Sequence, residues 1–171
     1  MAGKTDVFDL GRLQLASGQS RQVDLRVELD DLAFGGQSYS SEDRLADAIL
    51  DATRTRGGYS LRLRFGTRLE GPCMRCLEDS RTALEIDARE VDQPGGGDDL
   101  SSPYVDGDEV DVRAWARDAL ALALPAQIVC RTECLGICAV CGENLNEAAP
   151  GHAHESARDP RFAKLSELRF D

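Results

Sequence analysis

All six cysteines and both histidines of the 171-residue chain fall into four close pairs: Cys73-x2-Cys76, Cys130-x3-Cys134, Cys138-x2-Cys141 and His152-x-His154. Short spacers of this kind let one turn of backbone present two donors to a single ion, and Zn²⁺ takes four sulfur or nitrogen donors in a tetrahedron. Four bidentate pairs therefore match the ligand inventory of two closed, structural zinc sites. An open catalytic zinc would want three ligands and a water, and no carboxylate is positioned by motif to serve as its base.

Four pairs can be divided between two ions in three ways, and the chain favours one. Cys138 and Cys141 are followed by Gly142, which lets the backbone turn beneath a metal, and His152 and His154 lie shortly downstream. Donors at i and i+2 of an extended segment point to the same side, so His152 and His154 can reach one ion together. This leaves Cys73, Cys76, Cys130 and Cys134 for the other site, which closes a long loop. The rival grouping of Cys130, Cys134, Cys138 and Cys141 would be cramped and would strand the Cys73 pair. Arg75, between the first two cysteines, is placed to donate to their thiolates.

Composition narrows the alternatives. No run of 18 apolar residues is present, and residues 1–20 lack a signal-peptide pattern, so a cytoplasmic location is expected. In a reducing compartment, six cysteines point to metal rather than to three disulfides. The formal charge of −11 argues against coating nucleic acid by bulk electrostatics, and any RNA contact must be local. An acidic surface equally suits a basic protein partner. With only 5% aromatic residues, a core built from Leu, Val and Ala gains from metal crosslinks.

The elements that must carry these ligands read as an α+β fold: a small antiparallel β-sheet, one packed amphipathic helix, and a zinc-bound, loop-rich C-terminal lobe. Residues 1–125 form the β-rich core and 126–171 the lobe. Residues 1–20 suit either a docked extended arm or disorder. Val23, Leu25, Val27 and Leu29 alternate with charges, as in a half-buried strand that Gly35 and Gly36 end. Leu45, Ala48, Ile49 and Ala52 fit a helix over residues 41–53 capped by Ser41, whereas residues 49–55 could instead pair as a strand. Alternation resumes through Leu61, Leu63, Phe65 and Leu69, runs into the Cys73 turn, and returns through Thr82, Leu84, Ile86 and, after a register change, Val91. The cysteine pair thus sits at a hairpin tip. Residues 94–102 read as a mobile surface loop. Asp111 caps a helix with the apolar stripe Val112, Trp115, Ala116, Ala119, Leu120 and Ala123, Arg113 and Arg117 facing out, and Pro125 ending it. Asp159-Pro160 starts a last short helix. No internal repeat longer than the CxxC motif is evident.

Several strings together resemble the YceD family of large ribosomal RNA subunit accumulation proteins: Gly71-Pro72-Cys73-Met74-Arg75-Cys76-Leu77-Glu78, residues 121–125 (ALALP) followed by Cys130 and Cys134, residues 135–146 around Cys138 and Cys141, and residues 159–165. The family usually closes its metal-rich part with Cys-x-Cys, where this sequence has His152-x-His154. The resemblance implies a non-enzymatic bacterial factor in ribosome biogenesis, with rRNA or ribosomal proteins of the large subunit as partners. A contact surface is suggested by residues 52–69, which hold five arginines and no acid. Arg62, Arg64 and Arg68 share one strand face, at about 7 Å per alternate residue, and with Arg75 form a candidate phosphate-binding strip; a solvated face balanced by neighbouring acids is the competing reading. The competing function is a thiol-disulfide or metal-handling enzyme built on the Cys73 pair, although a thioredoxin-like motif needs a helix after the cysteines and residues 77–86 read as turn and strand.

Overall fold

The computed structural model of the protein describes residues 5–97 and 100–154. Its architecture is α+β, mostly antiparallel sheet with one helix. The main sheet has six strands: β2 (Ser20–Glu28), β3 (Leu32–Phe34), β4 (Gln37–Ser41), β5 (Leu45–Arg54), β6 (Tyr59–Pro72) and β7 (Asp79–Asp92). They run in the order β2-β5-β6-β4-β3, with β7 on the other side of β6. A second, three-stranded sheet joins β1 (Val7–Asp9) to β9 (Glu109–Asp111) and β8 (Val105–Asp106). Val7–Asp9 is thereby docked, and the chain continues into a 3-10 helix at Leu10–Leu13 whose Leu10 is buried.

Period-two alternation explains which residues face inward. Leu25 and Val27 of β2, Ala48, Leu50 and Ala52 of β5, Leu61, Leu63 and Phe65 of β6, and Ile86 of β7 are all buried in one cluster. The ambiguous segment before Arg54 is a strand because its even-numbered residues, Ala46, Ala48, Leu50 and Ala52, fill this cluster against β2 and β6. A helix would have turned half of them away. Gly35 and Gly36, both at positive φ, make the turn of a β3-β4 hairpin rather than ending a single long strand.

The β6-β7 hairpin is the scaffold of the site. Its register is unbroken from Tyr59↔Asp92 to Pro72↔Asp79, so the anticipated register change is absent; Val91 points outward and Asp92 is buried instead. Ser102, in the segment expected to be a surface loop, is also buried, and its N–H donates to Asp92 Oδ1 at 3.2 Å. Of that segment, residues 98–99 lie outside the described residues.

Helix α1 (Val112–Leu122) starts where the sequence requires, with the Asp111 side chain accepting from the Ala114 N–H at 2.8 Å. It packs on β7, β2 and β1, bridging the two outer strands of the β2-β5-β6-β7 array. Trp115 is its anchor, buried and stacked on Tyr104 at 6.2 Å between centroids. Arg113 does not simply face solvent: its guanidinium pairs with Glu28 at 3.2 Å and with Asp30, fastening the helix to the end of β2. The helix expected from Asp159 lies outside the described residues. Among the described residues, no helix is long and apolar enough to cross a membrane.

Candidate metal centres

Hairpin β6-β7 delivers Cys73 and Cys76 at its tip, and two side chains hold the base of that tip in place. The Tyr39 hydroxyl donates to the Pro72 carbonyl at 2.9 Å, and Ser80 Oγ donates to the Gly71 carbonyl at 2.9 Å. Tyr39 is stacked on Phe34 at 4.4 Å, and its ring lies so close to Gly71 that a Cβ there would overlap it. Only glycine fits beneath this tyrosine.

The chain then returns after α1 with Ile128, whose carbonyl accepts from the Met74 N–H at 2.8 Å. This contact brings Cys130 and Cys134 onto the hairpin tip. Cys76 Sγ lies 3.6 Å from Cys130 Sγ, and Cys73 Sγ lies 3.8 Å from Cys134 Sγ. The ligand atoms of all four lie within 4.8 Å of one another. Zn–S bonds of about 2.3 Å in a tetrahedron place sulfurs about 3.8 Å apart. A disulfide would need about 2.05 Å, and all four cysteines are free.

The second set lies on the next turn of chain. Cys138, Cys141, His152 and His154 bring their donor atoms within 4.8 Å of one another. His154 Nε2 is 3.1 Å from His152 Nε2 and 3.2 Å from Cys141 Sγ, which in turn is 3.5 Å from His152 Nε2. For bonds of about 2.05 Å to nitrogen and 2.3 Å to sulfur, tetrahedral edges are about 3.3 and 3.6 Å. Each set could hold one metal ion, and the rival grouping of the four carboxy-terminal cysteines is not the one assembled.

The two CxxC turns are built alike. Cys73 N–H donates to the Glu78 carbonyl and Leu77 N–H to the Cys73 carbonyl; Cys138 N–H donates to the Glu143 carbonyl and Gly142 N–H to the Cys138 carbonyl, all at 2.7–2.9 Å. The residue after each second cysteine is left-handed, Leu77 at φ 66° and Gly142 at φ 75°. The repeat is therefore a six-residue unit, Cys-x2-Cys-x-Glu, longer than the CxxC motif alone. In the second copy Glu143 has an added role, since its Oε2 lies 3.1 Å from His152 Nδ1. A carboxylate on the far ring nitrogen fixes the tautomer that leaves Nε2 free to bind a cation.

The four thiols of the first set differ in how readily they ionise. Burial pushes the Cys73 thiol up, but backbone hydrogen bonds from Cys76, Arg75 and Cys130 outweigh it and bring the group down to about 6. Cys76 is pushed up to about 12 by burial and by the neighbouring thiol groups. Burial likewise raises Cys130; at Cys134 burial is outweighed by hydrogen bonds, the Asn146 side chain foremost. Two of the four thiols thus resist ionisation beside the other two, a conflict that a cation held among them would relieve. In the second set backbone hydrogen bonding from Cys141, followed by His152, lowers Cys138 to about 6, and Cys138 raises His152.

Arg62, Arg64 and Arg68 lie on one face of β6, as the alternation predicts. Arg62 donates to both carboxylate oxygens of Asp87 at 2.6 and 2.5 Å, Arg64 to Asp51 at 2.8 Å, and Arg68 to Glu42 at 3.3 Å. The three share the outer sheet face, but each has a carboxylate partner. The Arg75 guanidinium reaches no thiolate: it donates to the Cys134 carbonyl at 3.0 Å and to Gln127 Oε1, clamping the two halves of the first set together. Arg75 meets a ligand sulfur through its backbone instead, its N–H donating to Cys73 Sγ at 3.4 Å, and the Asn146 side chain donates Nδ2–H to Cys134 Sγ at 3.5 Å. Neither Asn146 nor Glu143 stands out in the sequence except by following the cysteines closely.

Comparison with known proteins agrees with the motifs. Residues 61–169 match the model of the family described as "Large ribosomal RNA subunit accumulation protein YceD". Proteins of Mycobacterium bovis and Mycobacterium tuberculosis, each described as uncharacterized, are 35% identical over 106 residues, which is 57% of this chain and 49% of theirs. A Mycobacterium leprae protein, also described as uncharacterized, is 38% identical over 103 residues, 56% of this chain and 46% of its own. The chain spans about half the length of these curated relatives. No solved structure matches it. With the matched region running from the middle of the sheet through both ligand sets, the chain belongs to the YceD family of large ribosomal RNA subunit accumulation proteins.

Proposed function

We propose that this protein is a zinc-stabilised, non-enzymatic factor of the bacterial cytoplasm that supports the accumulation of large-subunit rRNA through ribosome assembly. The observation that carries the zinc part is the pair of complete four-donor sets, each with tetrahedral edge spacing. Cys73, Cys76, Cys130 and Cys134 would hold one ion, and Cys138, Cys141, His152 and His154 the other. Zinc bound there supplies structural crosslinks, because four protein donors leave no position for water or substrate. The first site ties the β6-β7 hairpin to the segment after α1, closing a loop of more than fifty residues.

Family membership supports the rRNA role. The test is depletion of the protein from cells, followed by measurement of large- and small-subunit rRNA separately. A selective fall in large-subunit rRNA, restored by the wild-type chain but not by Cys73→Ser, is the expected result. Equal levels of both would contradict it.

A second reading, a dithiol redox enzyme, draws on the unequal thiols of Cys73 and Cys76. Against it, Cys73 is fully buried beside Cys134, and β7 rather than a helix follows the pair. One fast-reacting thiol in the metal-free protein would favour this reading.

A further inference from the structure

On the outer face of the main sheet, opposite the side that α1 covers, four strands enclose a shallow depression of about 530 Å³. It is lined by Ser20 of β2, Thr53 of β5, Ser60, Arg62 and Arg64 of β6, and Arg89 of β7, with Asp51 among them. Three guanidinium groups and three hydroxyls converge here in a chain whose net charge is −11. Arg62 and Arg89 stand directly opposite each other across the β6-β7 ladder. Facing like charges destabilise a sheet, and Asp87 neutralises only one of them, through its bidentate bond with Arg62.

Two features show unmet donor capacity. Arg89 forms no ion pair with a carboxylate among the described residues, although it acts on Asp87 through space. Arg64 Nε is buried without a hydrogen-bond partner among the described residues, while the other end of the same guanidinium binds Asp51. Ser20 and Thr53, hydrogen-bonded to each other at 2.8 Å, add neutral hydroxyls beside the arginines. Forked guanidinium donors with adjacent hydroxyls are the side-chain complement of phosphate oxygens.

We infer that the depression formed by Arg62, Arg64, Arg89, Ser20, Thr53 and Ser60 binds backbone phosphates of single-stranded RNA. The strip grouped by sequence, Arg62, Arg64 and Arg68 with Arg75, is replaced by a cross-strand patch, because Arg68 lies beyond it on Glu42 and Arg75 is held by Cys134 and Gln127. No aromatic side chain lines the patch, so contact is with phosphate rather than with stacked bases, and it is independent of sequence. The inference rests on the proposed ribosomal role only for the choice of RNA as the source of phosphate.

The test is fluorescence anisotropy of a short labelled oligouridylate with the metal-replete chain at low salt, across four proteins. Arg89→Gln should weaken binding about fivefold and reduce the salt slope by about 0.7. Arg62→Gln/Arg89→Gln should abolish it. Asp87→Asn should strengthen it about threefold by removing a competing carboxylate, a gain that misfolding cannot produce. Unchanged binding in the double variant, or no gain in Asp87→Asn, overturns the site. Displacement of the RNA by pyrophosphate at equal molar concentration overturns the assignment to RNA. Because rRNA levels in depleted cells are measured independently, failure here is distinguishable from failure of the ribosomal role.

Discussion

Cys73 Sγ lies 3.8 Å from Cys134 Sγ, across 61 residues of sequence. That separation is too long for a disulfide and matches the edge of a zinc–thiolate tetrahedron. The contact is buried, with Cys73 at 0% and Cys134 at 2% exposure. It joins the tip of a fourteen-residue strand pair to the segment beyond the helix, so the cluster fixes long-range structure as well as a local turn.

Cys73→Ser and Cys134→Ser are therefore expected to lower stability through loss of the ion. Structural zinc commonly contributes on the order of 10 kcal/mol of apparent binding energy in small domains. His152→Ala or Cys141→Ser, in the more exposed set, should cost much less. Thermal melting of the four variants checks the order; equal melting of the Cys73 variant and the wild type would count against it.

Leu77 occupies a left-handed position that its counterpart Gly142 fills without strain. The side chain is 55% exposed and contributes little burial. A left-handed non-glycine residue costs about 1–2 kcal/mol, partly offset by the greater unfolded-state freedom of glycine. Leu77→Gly is thus expected to stabilise the protein by about 0.5–1 kcal/mol, whereas Gly142→Ala should destabilise it. Denaturant titration of the metal-loaded variants measures both.

Trp115 anchors the helix over the sheet at 2% exposure. Its truncation to alanine should cost about 3–5 kcal/mol by leaving a cavity. Metal content should be unchanged, since Trp115 belongs to the main core cluster and Cys73, Cys76 and Cys134 to a separate one. Parallel loss of metal and stability would mean that the sheet and the ligand lobe unfold together.

Hydrogen bonding from Arg62 holds the Asp87 carboxyl below its usual range. A carboxylate whose folded value is depressed contributes stability that is present above about pH 4, the ordinary carboxylate value, and is lost as pH falls through the folded value. Arg62→Gln should move the Asp87 titration upward toward that ordinary value, as read by carboxyl carbon NMR. The pair is solvent-exposed, so the effect on overall stability is small.

Much of this was readable from residue order. Ligand pairs announce themselves by spacing, and the β6-β7 alternation survives because both strands have one buried face. The segment at Leu45–Arg54 was ambiguous for a physical reason: its small alanines suit a helix intrinsically, and only their burial between two strands selects the extended form. Strands β8 and β9 are too short to show a period. Arg113, read as an outward residue of the helix, is fixed by acids more than eighty residues away in sequence. Likewise, Asp87 and Asp51 meet Arg62 and Arg64 only once the strand register is known, so the strip's compensation was invisible to a local reading. Glu143 supports His152 through a turn that brings them together, not through proximity in sequence.

In the proposed function two closed zinc sites organise this fold. Metal analysis of anaerobically purified protein, combined with zinc X-ray absorption, tests it most directly. The expected result is two zinc ions per chain, Zn–S distances of about 2.3 Å, an average shell of three sulfurs and one nitrogen, and thiols protected until a chelator is added. Metal-free protein with freely reactive thiols at Cys73 or Cys134 would contradict it.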